Sequence, residues 1–349
     1  MKARTLEFNS FNASEFWLWK FKSTNRIRSR KINKFVTSHY IEEDDHIIGI
    51  AKLFVDSSKV LLPNYQSSHI FNTDQSGFNY ELHSTRTLSF MGEKSVASSI
   101  RSIHAITHSY TVQPTITLEG KLLSPLFICL QEVGGSFGPH VSRTLFQCPN
   151  VVVYCSSSGK MTKDLIKKWC RDALIPSVKD KCLLFLDSWS GHSDQQIIQE
   201  LFPSSSSCEI LKIPPKTTSF IQPLDVYFFR QWKIFAKNVY NRVMLDALDV
   251  DLKDRNNIIK LHSLIHNQLS SPRFGNMIQY AWYKSGYLSE HPGKFDNVNN
   301  ICFNLKGQTC FQDCSQCSEG IFINCSWCTK PFCFTHFFVD YHFCHTFEG

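Results

Sequence analysis

Long apolar runs are absent from this sequence of 349 residues. No run approaches the roughly 18 apolar residues that a membrane helix needs, and the first residues, Met1 to Thr5, lack the apolar block of a secretory signal. We therefore expect no membrane partner and a location in the cytosol or nucleus. The sequence is rich enough for a packed core, because 42% of its residues are hydrophobic and 13% are aromatic.

Net charge is nearly absent outside the first 35 residues. That segment has nine Lys and Arg against two Glu, a balance of +7, which equals the formal charge of the whole chain. A basic N-terminus on a neutral body predicts a polyanionic partner, and nucleic acid is the commonest one. The alternative is a charged tail that is merely solvated.

Cysteines are scarce before residue 302, and eight of the 14 lie from there onward among histidines. This distribution is typical of intracellular metal sites rather than of disulfides. The candidate ligands form four close pairs: Cys314 with Cys317, Cys325 with Cys328, Cys333 with His336, and His342 with Cys344. Eight such ligands suit two tetrahedral Zn²⁺ sites. The pairing of the ligands stays open, Cys310 and His345 are alternative ligands, and inert buried cysteines are the alternative interpretation.

Composition divides the chain into three predicted domains, residues 1–45, 46–295 and 300–349. The first is predicted to be helical, with Ser14 capping the segment SEFWLWKFKSTNRI. The second alternates strand-like and helix-like segments, which predicts an α/β fold with a mixed sheet. Its clearest segments are the apolar strand KCLLFL, which runs straight into Asp187, and a long amphipathic helix that begins near Pro223.

Three aspartates stand at the ends of predicted elements. Asp74 and Asp187 end strands, and Asp225 falls in the first turn of the long helix. Each has a structural alternative, since Asp74 suits a turn and Asp225 suits the positive end of a helix dipole. Together they match the two or three carboxylates that hold Mg²⁺, and two such ions promote cleavage of phosphodiesters.

The segments FNTDQSGF, LLFLDSWSGH and LKIPPKTTSFIQPLDVYFFRQWK resemble, in this order, three blocks of the DDE superfamily endonuclease domain of pogo, Tigger and jerky-like transposases. The resemblance covers roughly residues 70 to 240. It implies an RNase H-like fold with Asp74 on the first strand, Asp187 just beyond the fourth and Asp225 on a helix, all three holding Mg²⁺ or Mn²⁺.

Two details of these blocks concern residues beside the acids. Many relatives have a glutamate after the first aspartate, whereas this chain has Gln75. Because the aspartate is the expected ligand, we expect the change to tune the site rather than abolish it. His192 falls on the Gly-His pair of the family, where it either supports the loop that carries Asp187 or approaches the scissile phosphate.

The N-terminal segment FNASEFWLWKFKSTNRIRSRKI resembles the closing part of the second helix-turn-helix of centromere-protein-B-type DNA-binding domains. The resemblance implies that Trp17 and Phe21 pack a small core and that basic residues face DNA. Those residues are Lys20, Lys22, Arg26, Arg28, Arg30 and Lys31. Since only about the last helix of the module is represented, the chain is expected to begin inside it.

These observations predict a metal-dependent DNA endonuclease of the transposase type, located in the nucleus and acting on DNA, with a homo-oligomer on transposon ends as a further possibility. The alternative is a catalytically silent, transposase-derived factor that binds DNA or other proteins. The three acids favour the enzyme, whereas the shortened DNA-binding segment favours the silent factor.

Overall fold

The computed structural model describes residues 14–25, 38–80, 109–178, 180–188, 195–305, 309–311 and 320–347; of residues 38–44 and 195–197 only the backbone is described. The chain divides into two compact units, residues 1–46 and 47–349. None of the helices in these ranges is both long and apolar enough to cross a membrane.

The first unit contains helix α1, Glu15–Thr24, and the beginning of helix α2, Ser38–Leu61. The predicted cap of α1 is confirmed, because Ser14 Oγ accepts a hydrogen bond from the Trp17 N–H at 3.2 Å. The expectation that Trp17 and Phe21 pack a small core is wrong for the described residues. The two rings stack on each other at 5.0 Å and are 39% and 43% exposed, and no residue of α1 is buried.

The second unit is built around one extended mixed sheet and a small C-terminal hairpin. Its strands are β1 (Ile70–Thr73), β2 (Ser76–Asn79), β3 (Ser109–Gln113), β4 (Thr115–Thr117), β5 (Leu126–Gln131), β6 (Val151–Ser156), β7 (Lys181–Leu186), β8 (Ser207–Lys212), β9 (Ile323–Asn324) and β10 (Pro331–Phe332). Its helices after α2 are α3 (Pro139–Thr144), α4 (Lys163–Trp169), α5 (Gln195–Leu201), α6 (Thr218–Ile221), α7 (Phe229–Leu245), α8 (Arg255–Leu269), α9 (Gly275–Lys284) and α10 (Val298–Ile301).

Strands β1 and β2 act as one long strand that is interrupted at Asp74 and Gln75. Thr73 pairs with Thr115 and Ser76 pairs with Val112, so the antiparallel ladder to β3 and β4 keeps one register across the break. Two four-stranded sheets, β4-β1-β7-β8 and β2-β3-β5-β6, therefore join at this break, and their combined order is β6, β5, β3 with β4, β1 with β2, β7, β8. Strands β1, β7 and β8 are mutually parallel, as are β5 and β6.

The sheet confirms the predicted mixed α/β class but changes one count. Among the described strands, β6 pairs only with β5 at the far edge of the sheet, and β7 lies beside β1. If β1 with β2 and β3 with β4 each count once, Asp187 follows the fifth strand and not the fourth. The apolar sequence of β6 resembles that of an interior strand, which is why its edge position was not visible in the sequence.

Strand β7 is buried because helices cover both faces of the sheet. Leu183 and Phe185 face a core that includes α7, α8, α9 and the C-terminal hairpin, whereas Leu184 and Leu186 face a second core beneath α4 and α5. Alternate side chains of a strand point to opposite faces, so a strand between two cores is apolar throughout.

A turn at Glu119 and Gly120 joins the β3–β4 strand to β5. Gly120 has a φ of +98°, and a Cβ there would lie 2.5 Å from the carbonyl oxygen of Gly275. Any other residue would therefore be strained and would push helix α9 from the sheet. This contact holds the beginning of α9 against the turn, at the end of β1 that is away from Asp74.

Candidate active site and Cys/His cluster

The first two aspartates lie side by side at the carboxyl ends of two neighbouring interior strands. Asp74 directly follows β1 and Asp187 directly follows β7. The two strands are parallel and paired with Ile70 opposite Leu183, so the same register continued by four residues brings the acids level. Neighbouring strands are about 4.8 Å apart, which places both carboxylates at the carboxyl end of the sheet.

The third aspartate arrives from the helix that follows β8. Asp225 lies in a wide helical turn, Leu224–Phe228, that leads into α7. The Leu224 N–H at the start of this turn donates to Asn72 Oδ1 at 3.1 Å, which ties the turn to strand β1. The predicted convergence of three acids from separate elements is therefore present in the backbone arrangement.

The charges of the three aspartates influence one another. Burial raises the pKa of Asp74 well above its usual range, and the nearby charges of Asp225 and Asp187 raise it further. Partial desolvation also raises the pKa of Asp225. The Lys233 ammonium lowers this pKa, and the charge of Asp187 raises it. Carboxylates that share a site resist ionising together. A cation placed among them would remove this conflict.

The surroundings of Asp74 fit a hard divalent cation. Asp74 is only 7% exposed, and the N–H of Gln75 lowers the pKa of its carboxyl, as does Gln222. Gln222 is fully buried, yet within the described part of the chain neither atom of its amide has a hydrogen-bond partner of ordinary geometry. Oxygen donors converging from separate elements, with a spare buried amide beside them, match the ligand preferences of Mg²⁺ and Mn²⁺.

Three residues at this edge were not singled out from the sequence. Asn72 and Gln222 are buried polar residues next to the acids, and Lys233 is an exposed cation one turn into α7. The signal for Asn72 was available, because an amide inside the apolar strand IFNT needs a specific partner. His192, in contrast, lies outside the described residues.

The C-terminal cysteines and histidines gather into two groups. Sulfur and nitrogen atoms of the first group, and likewise of the second, lie within 4.8 Å of one another. The first group is Cys325, Cys328, His342 and Cys344; the second is Cys310, Cys333 and His336. The first group combines two of the predicted pairs, Cys325 with Cys328 and His342 with Cys344. In the second group the predicted pair of Cys333 and His336 lies beside Cys310, which was an alternative ligand in the sequence analysis. Cys314 and Cys317 lie outside the described residues.

Soft donors and short separations define both groups. Cys328 Sγ is 3.7 Å from His342 Nε2, and Cys333 Sγ is 3.2 Å from His336 Nδ1. Burial raises the pKa of Cys325, raises that of Cys328 to about 12 and lowers that of His342. These side chains are therefore neutral on their own, and a thiophilic cation must displace thiol protons to bind. Two thiolate-rich groups of this kind fit Zn²⁺.

The C-terminal segment packs onto helix α8 rather than forming a core alone. Gln268 on α8 accepts hydrogen bonds from the N–H and the hydroxyl of Ser326 at 2.6 and 3.0 Å, and its Nε2 donates to Cys325 Sγ at 3.4 Å. Asn267 Nδ2 donates to the carbonyl oxygen of Cys344 at 2.8 Å. Helix α8 thus contacts two members of the four-residue group.

The predicted DNA-binding residues are only partly within the described ranges. Lys20 and Lys22 lie on α1, and both are exposed. The other four, Arg26, Arg28, Arg30 and Lys31, fall in residues 26–37 and lie outside those ranges. Within α1, the basic side chains share the helix with the exposed aromatic pair described above.

Comparisons with known proteins identify two families. Residues 137–285 match the DDE superfamily endonuclease, and residues 282–344 match the Tc5 transposase C-terminal domain. The first match includes Asp187 and Asp225 and begins after Asp74; the second includes both Cys/His groups. The endonuclease match, together with the mixed sheet flanked by helices, confirms the predicted RNase H-like class. The nearer resemblance to pogo, Tigger and jerky-like proteins and to a helix-turn-helix stays a prediction.

Solved structures of Mos1 transposase are also similar, at a low level. A Mos1 paired-end complex with the left transposon end is 8% identical, with 82% of this chain and 78% of that chain covered and a TM-score of 0.39. The Mos1 mariner paired-end complex with Mn is 9% identical, with 83% and 79% covered and a TM-score of 0.38. The functional assignment rests on the two family matches and on the site itself, not on these scores.

Proposed function

We propose that this chain is a transposase-type endonuclease that cleaves DNA phosphodiesters with Asp74, Asp187 and Asp225 as ligands of two Mg²⁺ or Mn²⁺ ions. The observation that carries the proposal is the convergence of these acids at the carboxyl ends of β1 and β7, where their charges raise the pKa values of Asp74 and Asp225. When bound, the two ions stabilise the charge that develops on the attacking and leaving oxygens.

The proposed reaction needs no oxidant or reductant. Water attacks the phosphorus and loses a proton to solvent, and the P–O3′ bond breaks to leave a 5′-phosphate and a 3′-hydroxyl. In strand transfer the 3′-hydroxyl attacks a second phosphodiester and displaces its 3′ oxygen. The burial and the neighbouring carboxylates that raise the pKa of Asp74 would be offset by the positive charge of a bound cation. The exposed Lys233 adds positive charge beside Asp225, which favours approach of a phosphate.

Replacement of each acid by asparagine tests the enzymatic proposal. Plasmid nicking in Mg²⁺ or Mn²⁺ should fall by at least about a thousandfold for Asp74→Asn, Asp187→Asn or Asp225→Asn, and double changes should lose little more. Asp164→Asn, an exposed aspartate on α4 that pairs with Lys168, is the matched control and should retain full activity. Nicking by Asp187→Asn at the wild-type rate would overturn the proposal. A wild type that binds metal but never nicks DNA would support the catalytically silent factor instead.

DNA binding is proposed to depend on the basic N-terminal segment. Neutralising Arg26, Arg28, Arg30 and Lys31 together should reduce the slope of log affinity against log salt by about three to four units, if all four contact phosphates. Four exposed lysines of the second unit, Lys121, Lys167, Lys237 and Lys294, provide a control of equal charge. If the N-terminal variant and the lysine control lost the same amount of salt dependence, DNA binding would not depend specifically on the N-terminal segment. Binding to one sequence that persists at high salt would mean a complete reading module.

Two Zn²⁺ ions are proposed for the C-terminal groups, one held by Cys325, Cys328, His342 and Cys344. The second would be held by Cys310, Cys333 and His336, with the fourth ligand among the remaining predicted residues, Cys314 and Cys317. Nuclear localisation and assembly of several copies on transposon ends are proposed with the same function. Metal analysis of the purified chain should find about two zinc ions, and fewer than one would contradict the assignment.

A further inference from the structure

Asn72 is a polar residue in the centre of the sheet. Its side chain is completely buried on strand β1, where its neighbours Ile70 and Phe71 belong to the apolar core. Both ends of its amide are used: Nδ2 donates to the carbonyl oxygen of Phe185 at 3.3 Å, and Oδ1 accepts from the Leu224 N–H at 3.1 Å. The amide therefore connects three elements that are distant in the sequence.

The contacts of Asn72 fall next to all three acids. Asn72 itself is two residues before Asp74, and Phe185 is two residues before Asp187. Leu224 directly precedes Asp225. One planar amide thus joins the backbones that carry the three carboxylates. Only an amide of this length combines a donor and an acceptor for both contacts, since a carboxylate lacks the donor and leucine lacks both.

We propose that Asn72 is the positioning residue that fixes the separation of the three carboxylates before any cation binds. Asp74 and Asp187 are already held level by strand pairing, whereas the described contact that ties the Asp225 turn to β1 is the one from Leu224. Like charges push this turn outward, and the amide resists that displacement. The inference rests on the proposed function only for the use of the acids, not for their positioning.

A residue that merely satisfies buried polar groups would behave differently. Its loss would lower stability, as any broken buried hydrogen bond does, and would leave the metal affinity of correctly folded molecules unchanged. A positioning residue changes metal affinity as well, and supporting residues of metal sites typically contribute about 10 to 100-fold. Affinity for Mn²⁺ therefore separates the two roles.

The test compares Asn72→Leu with Asn150→Leu in the full chain. Asn150 is a matched control, because it is also a buried amide that bridges two elements: its Nδ2 donates to the Ser263 carbonyl oxygen at 2.9 Å and to His266 Nδ1 at 3.0 Å. It precedes β6, the strand that lies three strands from β1 across the sheet, so by the usual strand spacing it is about 14 Å from the acid-bearing strand. Asn72→Ser is included as a smaller change in case the leucine variant does not fold.

Mn²⁺ titration followed by electron paramagnetic resonance is the first readout, with zinc already loaded and Asp74→Asn identifying the signal of the acid site. We expect the half-saturating Mn²⁺ concentration to rise at least about tenfold for Asn72→Leu or Asn72→Ser. Asn150→Leu should change it by less than about twofold. Equal effects of the changes at positions 72 and 150 would overturn the proposal.

A metal-free double-mutant cycle is the second readout, and it does not depend on catalysis. Asp225→Asn should raise the urea midpoint of the wild type, because it removes the repulsion between Asp225 and the other two carboxylates, which Asn72 keeps close together. The increase should be smaller in the Asn72→Ser background, where the turn can already move away. Equal increases in both backgrounds would refute the positioning role. If the wild type neither binds Mn²⁺ nor nicks DNA, the proposed function fails, and this cycle alone still decides the role of Asn72.

Discussion

The acid site and the Cys/His groups differ in what assembles them. The aspartates come from positions 74 to 225, and strand pairing between two buried strands brings the first two together. The described members of the Cys/His groups come from positions 310 to 344, where the only described strands are the two-residue strands β9 and β10. Strand pairing alone positions the first two acids, whereas we propose that the Cys/His groups need zinc to hold them together. Removing cations should therefore lower stability much more in the C-terminal segment than at the acid site.

Removal of zinc is the change with the largest expected effect on stability. Chelation should lower the free energy of unfolding by at least about 3 kcal/mol, since structural zinc contributes directly to folding. Removal of Mg²⁺ present at ten times its dissociation constant should cost only about 1.4 kcal/mol. Urea unfolding followed by circular dichroism measures both quantities.

Cysteine variants supply the controls for this prediction. Cys325→Ser should reproduce the effect of chelation, because it removes a ligand from the four-residue group. Cys155→Ser, a half-buried cysteine of β6 outside both groups, should behave like the wild type. An unchanged urea midpoint after complete loss of zinc would mean that packing on α8 alone holds the C-terminal segment.

Acid pH should destabilise helix α8, against which the C-terminal segment packs. His262 and His266 on α8 are buried, and desolvation lowers their pKa to about 3 and about 4. The Trp232 indole N–H donates to His262 Nδ1, and His266 Nε2 faces the Leu123 carbonyl oxygen, so the neutral forms fit these contacts.

The sign of the pH effect follows from these lowered values. Below the ordinary histidine pKa of about 6.5, the unfolded chain binds protons that the folded chain excludes, so stability falls with falling pH until the folded pKa is reached. Between pH 6.5 and 5 the two residues should together cost about 3 kcal/mol. His262→Gln should flatten this dependence in urea titrations, whereas His140→Gln, at an exposed position, should not. A wild-type stability that is constant over this range would contradict the prediction.

The difference between the regions also explains what the sequence could predict. The segment KCLLFLD predicted both a buried strand and an acid at its end, because a strand that is buried on both faces has an unbroken apolar run. Helix α8 was not predicted, since its polar residues His262, Asn267 and Gln268 are buried and obscure the usual amphipathic pattern. The position of Cys310 beside Cys333 and His336 depends on the path of the chain, which ligand spacing does not encode.

A smaller effect is expected from the contact between α8 and the first Cys/His group. Gln268→Leu removes the N–H that faces Cys325 Sγ and the acceptor for Ser326, but it leaves all four ligands in place. Zinc affinity should fall by about tenfold, the lower end of the range for residues that support a ligand. Competition with a chromogenic chelator measures this change. Gln279→Leu, which removes a contact of α9 with the Glu119 carbonyl oxygen, should leave the affinity unaltered. An unaltered zinc affinity in Gln268→Leu would restrict the metal site to the C-terminal segment.

The smallest effect is expected at Gln75, where many relatives have glutamate. The contribution of Gln75 to Asp74 comes from its backbone N–H, which any side chain leaves in place. The ladder keeps its register across Asp74 and Gln75, and successive side chains on a strand point to opposite faces. A glutamate at position 75 is therefore directed away from the acids and should change the nicking rate and the half-saturating Mn²⁺ concentration by less than about threefold, or roughly 0.7 kcal/mol. Asn72→Asp, which places a carboxylate within the contacts of the acid-bearing backbones, is the contrasting variant and should weaken Mn²⁺ binding far more. A tenfold gain in activity from Gln75→Glu would show that position 75 contributes a ligand, and that the acid site is completed by a fourth side chain rather than by the fold alone.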